Sequence, residues 1–145
     1  MRHLIFIFSL TVAAVAASGA DGAKPVFVKA KCVDKVSSSA LSSFREALGA
    51  SERYRLVSSL DDAGRMDVVL SVQMSCTQRD NVVAVASVYG IAKCFGPRNC
   101  HVAFDVTSLR ADFCDSSAAP ECGRALFKAF DDYMNNPNRP PLQLD

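Results

Sequence analysis

The amino-acid sequence predicts an α+β domain in which a single mixed sheet of about five strands carries two helices on one face. Two segments repeat apolar residues at helical spacing, and the others alternate apolar with polar residues, in the order strand, helix, four strands and helix. An apolar run opens the chain, and six cysteines follow it. An even number of cysteines in an exported chain predicts disulfides, here three, that close this small fold.

The opening apolar run predicts a cleavable signal peptide over residues 1–20. Its uncharged stretch, 4–17, follows a basic and polar start and is shorter than the roughly 20 residues that a membrane-spanning helix needs. Small residues at Ser18 and Ala20 suit a signal peptidase, so we expect cleavage after Ala20. The protein is therefore predicted to be periplasmic or secreted and soluble, without insertion into a membrane.

The rest of the chain predicts one domain over 21–134 and an extended tail, rich in Pro and Asn, over 135–145. Fifteen basic and fifteen acidic residues follow the signal, so the mature chain is formally neutral. Binding to nucleic acid depends on neutralising phosphates with clustered positive charge. We therefore expect a protein partner and no nucleic acid; the oligomeric state does not follow from the sequence.

The amino-terminal half of the domain predicts two strands around a helix. Residues 25–33 are rich in Val and Phe, which favours a strand, and 54–57 form a second, short one. Between them, apolar spacing predicts a helix over 37–48 that is opened by serine caps and ended by Gly49. Residues 60–64 predict a single helical turn. The apolar stripe of the helix consists of Ala40, Leu41, Phe44, Ala47 and Leu48.

An antiparallel meander follows. Alternation over 67–76 predicts a half-buried third strand, and a polar turn at 78–81 leads into a fourth over 82–94. The fifth strand returns over 100–109. One face of the third strand carries Val68, Leu70, Val72, Met74 and Cys76, and one face of the fifth carries Val102, Phe104 and Val106.

The closing segment predicts a loop over 111–119 and then a helix. Pro120 suits a first helical turn, where its missing N–H costs nothing. The helix runs through Met134 on an apolar stripe formed by Cys122, Leu126, Ala129, Phe130 and Tyr133.

The six cysteines allow fifteen pairings, and the predicted fold selects one of them. Two cysteines end the first and third strands, which lie side by side if those strands are parallel neighbours. Two stand at the feet of the hairpin loop, and two bracket the start of the last helix. The predicted scheme is Cys32–Cys76, Cys94–Cys100 and Cys114–Cys122.

A family resemblance rests on residues 66–72, Met-Asp-Val-Val-Leu-Ser-Val, a strand that begins after a short turn through an aspartate. This stretch and the layout of elements over 24–134 resemble the small α/β domain at the amino terminus of TolB and in periplasmic proteins of the CsgG and LpoB type. The resemblance implies a non-enzymatic envelope protein that acts through protein contacts. This chain differs in its six cysteines and in lacking a lipidation cysteine and a propeller domain, so neither membrane tethering nor a specific partner is implied.

Catalytic residue types are scarce. His101 is the one histidine after the signal, so a hydrolase would have to use it. Asp105 lies four residues further along the same strand, about 13 Å away at the usual rise per residue, too far to form a dyad directly. The carboxylates of Asp61-Asp62 and of Asp131-Asp132 are adjacent and do not converge as a glycosidase requires. We expect no enzymatic activity.

A metal site is the other chemical alternative. Cys94, Cys100 and His101 are ligand types for zinc or copper, with Cys114 or Cys122 as a fourth ligand. Their spacing matches no usual ligand pair, and an oxidising compartment favours disulfides. We therefore predict no metal and no cofactor.

The local feature with functional character is the loop between Cys94 and Cys100. A disulfide across its base would order the loop in advance, and the loop carries Phe95 and Arg98, residue types that anchor interfaces. The leading hypothesis is a non-enzymatic binding or adaptor protein. The alternatives are an inhibitor or immunity-type protein that uses this loop, and a hydrolase centred on His101. An exposed sheet face or edge would favour the adaptor, a protruding Phe95 and Arg98 the inhibitor, and a deep pocket beside His101 the enzyme.

Overall fold

A computed structural model describes residues 22–60, 68–95 and 100–139. The signal peptide, most of the predicted turn at 60–64, the Asp61-Asp62 pair, Arg98 and the end of the tail lie outside the described residues. The elements in chain order are β1 (Lys24–Cys32), α1 (Lys35–Gly49), β2 (Tyr54–Val57), β3 (Val69–Arg79), β4 (Val82–Cys94), β5 (Cys100–Asp115), a 3-10 turn (Ser116–Ala118) and α2 (Ala119–Met134).

The strands form one mixed sheet in the order β2-β1-β3-β4-β5. β1 is parallel to both β2 and β3, and the β3-β4-β5 meander is antiparallel. Both helices pack on one face of this sheet, where buried residues of the two helices and of β1 to β4 form the main core. The predicted α+β class, element order and helix placement are confirmed.

The core owes much of its volume to aromatic side chains. The ring of Phe130 lies 6.1 Å from that of Phe44, 5.2 Å from that of Tyr54 and 5.3 Å from that of Tyr89, so α2 contacts α1, β2 and β4 through one residue. Gly123 lets the two helices approach closely, because a Cβ at that position would lie 2.1 Å from the carbonyl oxygen of Ala40.

The start of α1 differs from the prediction of serine caps. The cap is Asp34, whose Oδ1 accepts a hydrogen bond from the backbone N–H of Ser37 at 2.7 Å. Its Oδ2 accepts from the Ser37 hydroxyl at 2.7 Å and from the backbone N–H of Gln78 at 2.8 Å. Three donors favour the carboxylate, and the bond from the Ser37 N–H is the chief cause of the lowered pKa of Asp34. Asp34 thus joins α1 to β3.

The end of β5 also differs from the prediction. A loop was predicted over 111–119, but β5 continues to Asp115, with Ala111 opposite Ala86 and Phe113 opposite Ala84 of β4. Asp112 and Asp115 lie on this edge strand, where charged side chains are common.

A bulge interrupts β5, since Ser87 pairs with Arg110 but Tyr89 pairs with Asp105. Buried Ser108 replaces the lost ladder bonds: its hydroxyl accepts from the Tyr89 N–H at 2.8 Å and lies 2.6 Å from the Asp105 carbonyl, to which it donates. The bulge therefore keeps its buried backbone groups paired.

The three cysteine pairs are those of the predicted scheme, Cys32–Cys76, Cys94–Cys100 and Cys114–Cys122. Cys32 and Cys76 are direct partners in the register of the parallel strands β1 and β3, as the predicted adjacency requires.

The tail begins differently from the extended chain that was predicted. The Asn135 N–H donates to the carbonyl of Asp131 and the Arg139 N–H to that of Asn136, which makes turns at the end of α2. The Arg139 guanidinium lies 5.1 Å from the ring centre of Tyr133. Residues 140–145 lie beyond the described part of the chain.

Candidate protein-binding surface

The sheet has a second face, opposite the helices, which we call the open face. Side chains alternate along each strand, so neighbours of the buried core residues point to it. On β4, Val83 and Val85 are buried against the helices, whereas Ala84 and Ala86 face the other way. Their partners on β5, Phe113 and Ala111, therefore share the open face.

Large apolar side chains of β5 lie uncovered. Their exposed fractions are 40% for Val102, 38% for Phe104, 80% for Val106, 66% for Leu109 and 72% for Phe113. Val102 and Phe104 pair with Ala92 and Gly90 of β4, so both lie on the open face. Concentrated apolar exposure of this kind is characteristic of interaction surfaces.

The middle of the open face is shallow because its side chains are small. Ser75 of β3 pairs with Ala86 of β4, and Thr77 pairs with Ala84. Gly90 adds no side chain at all; a Cβ there would lie 2.2 Å from the carbonyl oxygen of Ala103, so the backbones approach too closely for one. We call the strip of small residues Ser75, Thr77, Ala84 and Ala86 the trough; Gln73 and its partner Val88 separate it from Gly90.

Basic side chains border the trough on its far side. Lys29 and Lys31 of β1 are exposed and alternate with buried Val28, which places them on the open face. They pair with Gln73 and Ser75 of β3. The trough therefore has lysines along one side and the large apolar residues of β5 along the other.

One end of the open face is closed. Val57, Val69 and Ala92 are buried there in a small second cluster, against which Phe27 and Leu60 pack. On β3 and β4 the uncovered part is consequently the other end, towards Ala86, whereas β5 is exposed at both ends, at Val102 and at Phe113.

The predicted loop residue Phe95 is 61% exposed. Its ring contacts that of His101 edge-on, at 5.8 Å between centres, and the Lys93 ammonium lies 5.3 Å from the Phe95 ring centre. Phe95 is therefore not a core residue. Because Arg98 lies outside the described residues, whether the two form one surface stays a prediction.

The geometry around His101 offers no catalytic dyad with Asp105. Asp105 accepts hydrogen bonds from the backbone N–H of Thr107 at 2.8 Å and from the hydroxyls of Thr107 and Tyr133. The Thr107 side chain is the main reason that the pKa of Asp105 is lowered, with Tyr133 next. A cavity of about 290 Å³, open to solvent, lies beside Val28, Arg45 and Leu56 near β2, at the opposite edge of the sheet from His101.

The residues considered for other chemistry have structural partners. The four cysteines of the supposed metal site are paired in disulfides, and no metal-binding group of His, Cys, Asp and Glu occurs among the described residues.

Asp131 accepts a hydrogen bond from the Tyr54 hydroxyl at 2.9 Å and forms an ion pair with Arg53 at 3.0 Å, which joins α2 to β2. Burial raises the pKa of Tyr54 to about 12, and the hydrogen bond to Asp131 is the next largest cause. Asp132 pairs with Lys128 at 2.8 Å on the exposed side of α2.

Sequence reasoning missed Leu109 and Phe113 as surface residues. The signal that could have found them is the alternation, which continues through Ala111 to Phe113 with Arg110 and Asp112 at the intervening positions.

Comparison with known proteins adds no family. No family model matches this chain, and no curated protein matches it. Within the described residues, neither helix is long and apolar enough to cross a membrane.

Proposed function

We propose that this protein is an exported, non-enzymatic adaptor that binds a partner protein on the open face of its sheet. The observation that carries the proposal is the uncovered apolar row on β5, in which Leu109 and Phe113 are 66% and 72% exposed. Exposing large apolar side chains to water is unfavourable, and a partner that covers them recovers roughly 25 cal/mol for each Å² of apolar surface. The resemblance to envelope adaptor domains points the same way.

The shape and charge of the open face favour an amphipathic helix as the bound segment. The distance from β1 to β5 spans three strand spacings, about 14 Å at about 4.8 Å each, and a helix with side chains is about 10–12 Å wide. An apolar stripe would contact Ala86 and Phe113, and carboxylates on its flank would reach Lys29 and Lys31. The expected partner is therefore a protein that presents an acidic, amphipathic helix.

Export to an oxidising compartment is part of the same proposal. Three disulfides in a domain of this size are typical of proteins that leave the cytoplasm. The signal peptide predicted over 1–20 supplies the route.

The inhibitor hypothesis keeps one supporting observation, the 61% exposure of Phe95 above a disulfide-closed base. In that case the binding surface would be the loop tip rather than the sheet. The two functions therefore differ in which residues contact the partner.

Photo-crosslinking in the native host separates them. The photoreactive amino acid benzoylphenylalanine replaces Phe113 on the open face, Phe95 on the loop, or Lys128 on the exposed side of α2. We expect a specific adduct from position 113, mapped by mass spectrometry to a helical segment with an apolar stripe and acidic flank. Lys29→Glu together with Lys31→Glu should reduce its yield, because like charges repel across the interface.

Other adduct patterns oppose the adaptor proposal. Adducts from position 95 alone would favour the inhibitor, and adducts from position 128 alone would place the contact on the helices. An adduct from position 113 to a partner segment that is basic and not helical would contradict the proposed partner chemistry.

A further inference from the structure

The outer side of β5 is a free strand edge. β5 is last in the strand order, and no described strand pairs with it on the side away from β4. Beyond the bulge it runs regularly from Arg110 to Asp115, opposite Ser87 to Val82. Free backbone N–H and C=O groups on such an edge are a template for another strand.

The sequence of this regular segment is symmetric in chemistry about Ala111. One residue to either side stands a charged residue, Arg110 or Asp112, and these two have opposite charge. Two residues to either side stand large apolar residues, Leu109 and Phe113, both mostly exposed. The charged pair faces the helix side of the sheet and the apolar pair the open face, because side chains alternate along a strand.

We propose that a second copy of this chain pairs with β5, antiparallel and in register about a two-fold axis through Ala111. In this register each Arg110 lies directly opposite Asp112 of the second copy, and each Leu109 lies opposite Phe113. Opposite charges and large apolar residues at directly opposed positions are the pairs that stabilise antiparallel strands. The interface uses one patch on both copies, which is the commonest form of symmetric dimer.

The charges of β5 are already placed for such a contact. Arg110 Nη2 and Asp112 Oδ1 lie 2.6 Å apart within the strand, with 43% and 24% of their side chains exposed. In the dimer the two pairs would form one cluster of alternating charge. A strand from another protein would need an acidic residue opposite Arg110 and a basic residue opposite Asp112. A second copy supplies both by symmetry.

The geometry limits the paired length and preserves the rest of the molecule. The bulge at Ser108 ends the regular strand on one side, and the turn at Ser116–Ala118 ends it on the other. The two-fold axis is perpendicular to the sheet, so both helix layers stay on one side and both open faces on the other. The dimer uses the edge of β5 and leaves the trough free, although it shares Leu109 and Phe113 with the surface proposed for the adaptor.

Sedimentation equilibrium of the mature, oxidised protein tests the proposal. A single strand pair buries less than a standard interface of about 1,200–2,000 Å², so the dimer should be weak and is sought from roughly 10 μM to 1 mM. Arg110→Asp places carboxylates opposite Asp112 at both symmetric positions and should weaken dimerisation roughly tenfold or more. The double variant Arg110→Asp with Asp112→Arg exchanges the charges, keeps the symmetry and should restore the dimer.

A cross-linking variant tests the register. Ala111→Cys places two thiols at the symmetry axis, where opposed Cα atoms of antiparallel strands, about 4.5–5.5 Å apart, lie within disulfide range. We expect an intermolecular disulfide at position 111. Val106→Cys, on the same strand, 80% exposed and away from the two-fold axis, is the control and should form none under the same conditions.

Three results would overturn the proposal. The first is a monomer throughout the concentration range. The second is a dimer that Arg110→Asp leaves unchanged or that the charge exchange does not restore. The third is cross-linking of Val106→Cys as readily as of Ala111→Cys. Thermal unfolding and disulfide mapping of each variant confirm that it is folded. A position-113 adduct to a second copy of this chain reports on the dimer, whereas an adduct to a different protein reports on adaptor function.

Discussion

Both faces of the sheet carry large apolar side chains, yet only one face is covered by the chain's own helices. On the helix side Tyr89 and Phe130 are completely or almost completely buried. On the open side Phe113, on the strand next to β4, is 72% exposed. A sheet buries a face only where the chain supplies a layer over it. The difference indicates that the helix side holds the fold together and that the open side is available for contact with another molecule.

The largest effect should come from a matched pair of phenylalanines on the two faces. Phe130→Ala removes a ring packed against Phe44, Tyr54 and Tyr89, and should lower the free energy of unfolding by about 3–5 kcal/mol. Phe113→Ala should change it by about 0.5 kcal/mol or less. Chemical denaturation with disulfides intact measures both. Similar losses for the two variants would mean that the open face contributes to the core.

A second pair tests the close contact between the helices. Gly123→Ala directs a methyl group at the backbone of α1, where the nearest oxygen is 2.1 Å away, and should cost about 3 kcal/mol. Gly49→Ala has nothing within 4 Å of the added carbon and should be neutral or slightly stabilising. Equal thermal midpoints for these variants would show that the helices are less closely packed than described.

Some elements of this fold could be predicted from the sequence alone. Alternation predicted the third strand, and the cysteine scheme followed once Cys32 and Cys76 were placed on parallel neighbours. Such patterns reflect burial on one face, which repeats along an element. The regular part of β5 was missed beyond residue 109, where neither face of the strand is well covered and burial therefore leaves a weak pattern in the sequence.

Caps and close contacts were harder to predict for a different reason. The serines that follow Asp34 were predicted as the cap in its place. One donor to the Asp34 carboxylate, the Gln78 N–H, comes from a strand more than forty residues away. Gly123 was not identified either, since its role depends on Ala40 of another helix. Such roles depend on three-dimensional neighbours that no local pattern reveals.

A smaller loss of stability is expected from a change at the bulge of β5, the strand that carries the exposed apolar residues. Ser108→Ala leaves the buried N–H of Tyr89 without its acceptor, and should destabilise the protein by about 1–2 kcal/mol. Ser42→Ala removes an exposed hydroxyl that donates to a helix carbonyl and should cost less than about 0.5 kcal/mol. Faster amide exchange at Tyr89 in Ser108→Ala, and not in Ser42→Ala, would show that the loss of stability arises at this hydrogen bond. An unchanged stability of Ser108→Ala would contradict the assigned role of the serine.

The smallest effect concerns acid. The pKa of Asp34 is lower in the folded protein, chiefly because of the Ser37 N–H, so its carboxylate contributes stability above the ordinary aspartate pKa of about 4. That contribution is lost as the pH falls from there through the lowered pKa. Asp34→Asn should therefore flatten the decline of stability below about pH 4. An unchanged slope in acid denaturation would show that Asp34 does not contribute.

The central claim is that the open face, rather than the loop or the helix layer, binds the partner. The most direct measurement is the change in backbone amide NMR shifts when a helical peptide of roughly 18 residues, about 27 Å long, is added. Its apolar stripe is flanked by glutamates, and a control peptide carries lysines instead. We predict shifts at Lys31, Ala86 and Phe113, with tighter binding of the acidic peptide. Equal binding of both peptides, or shifts confined to Phe95 and His101, would contradict the account.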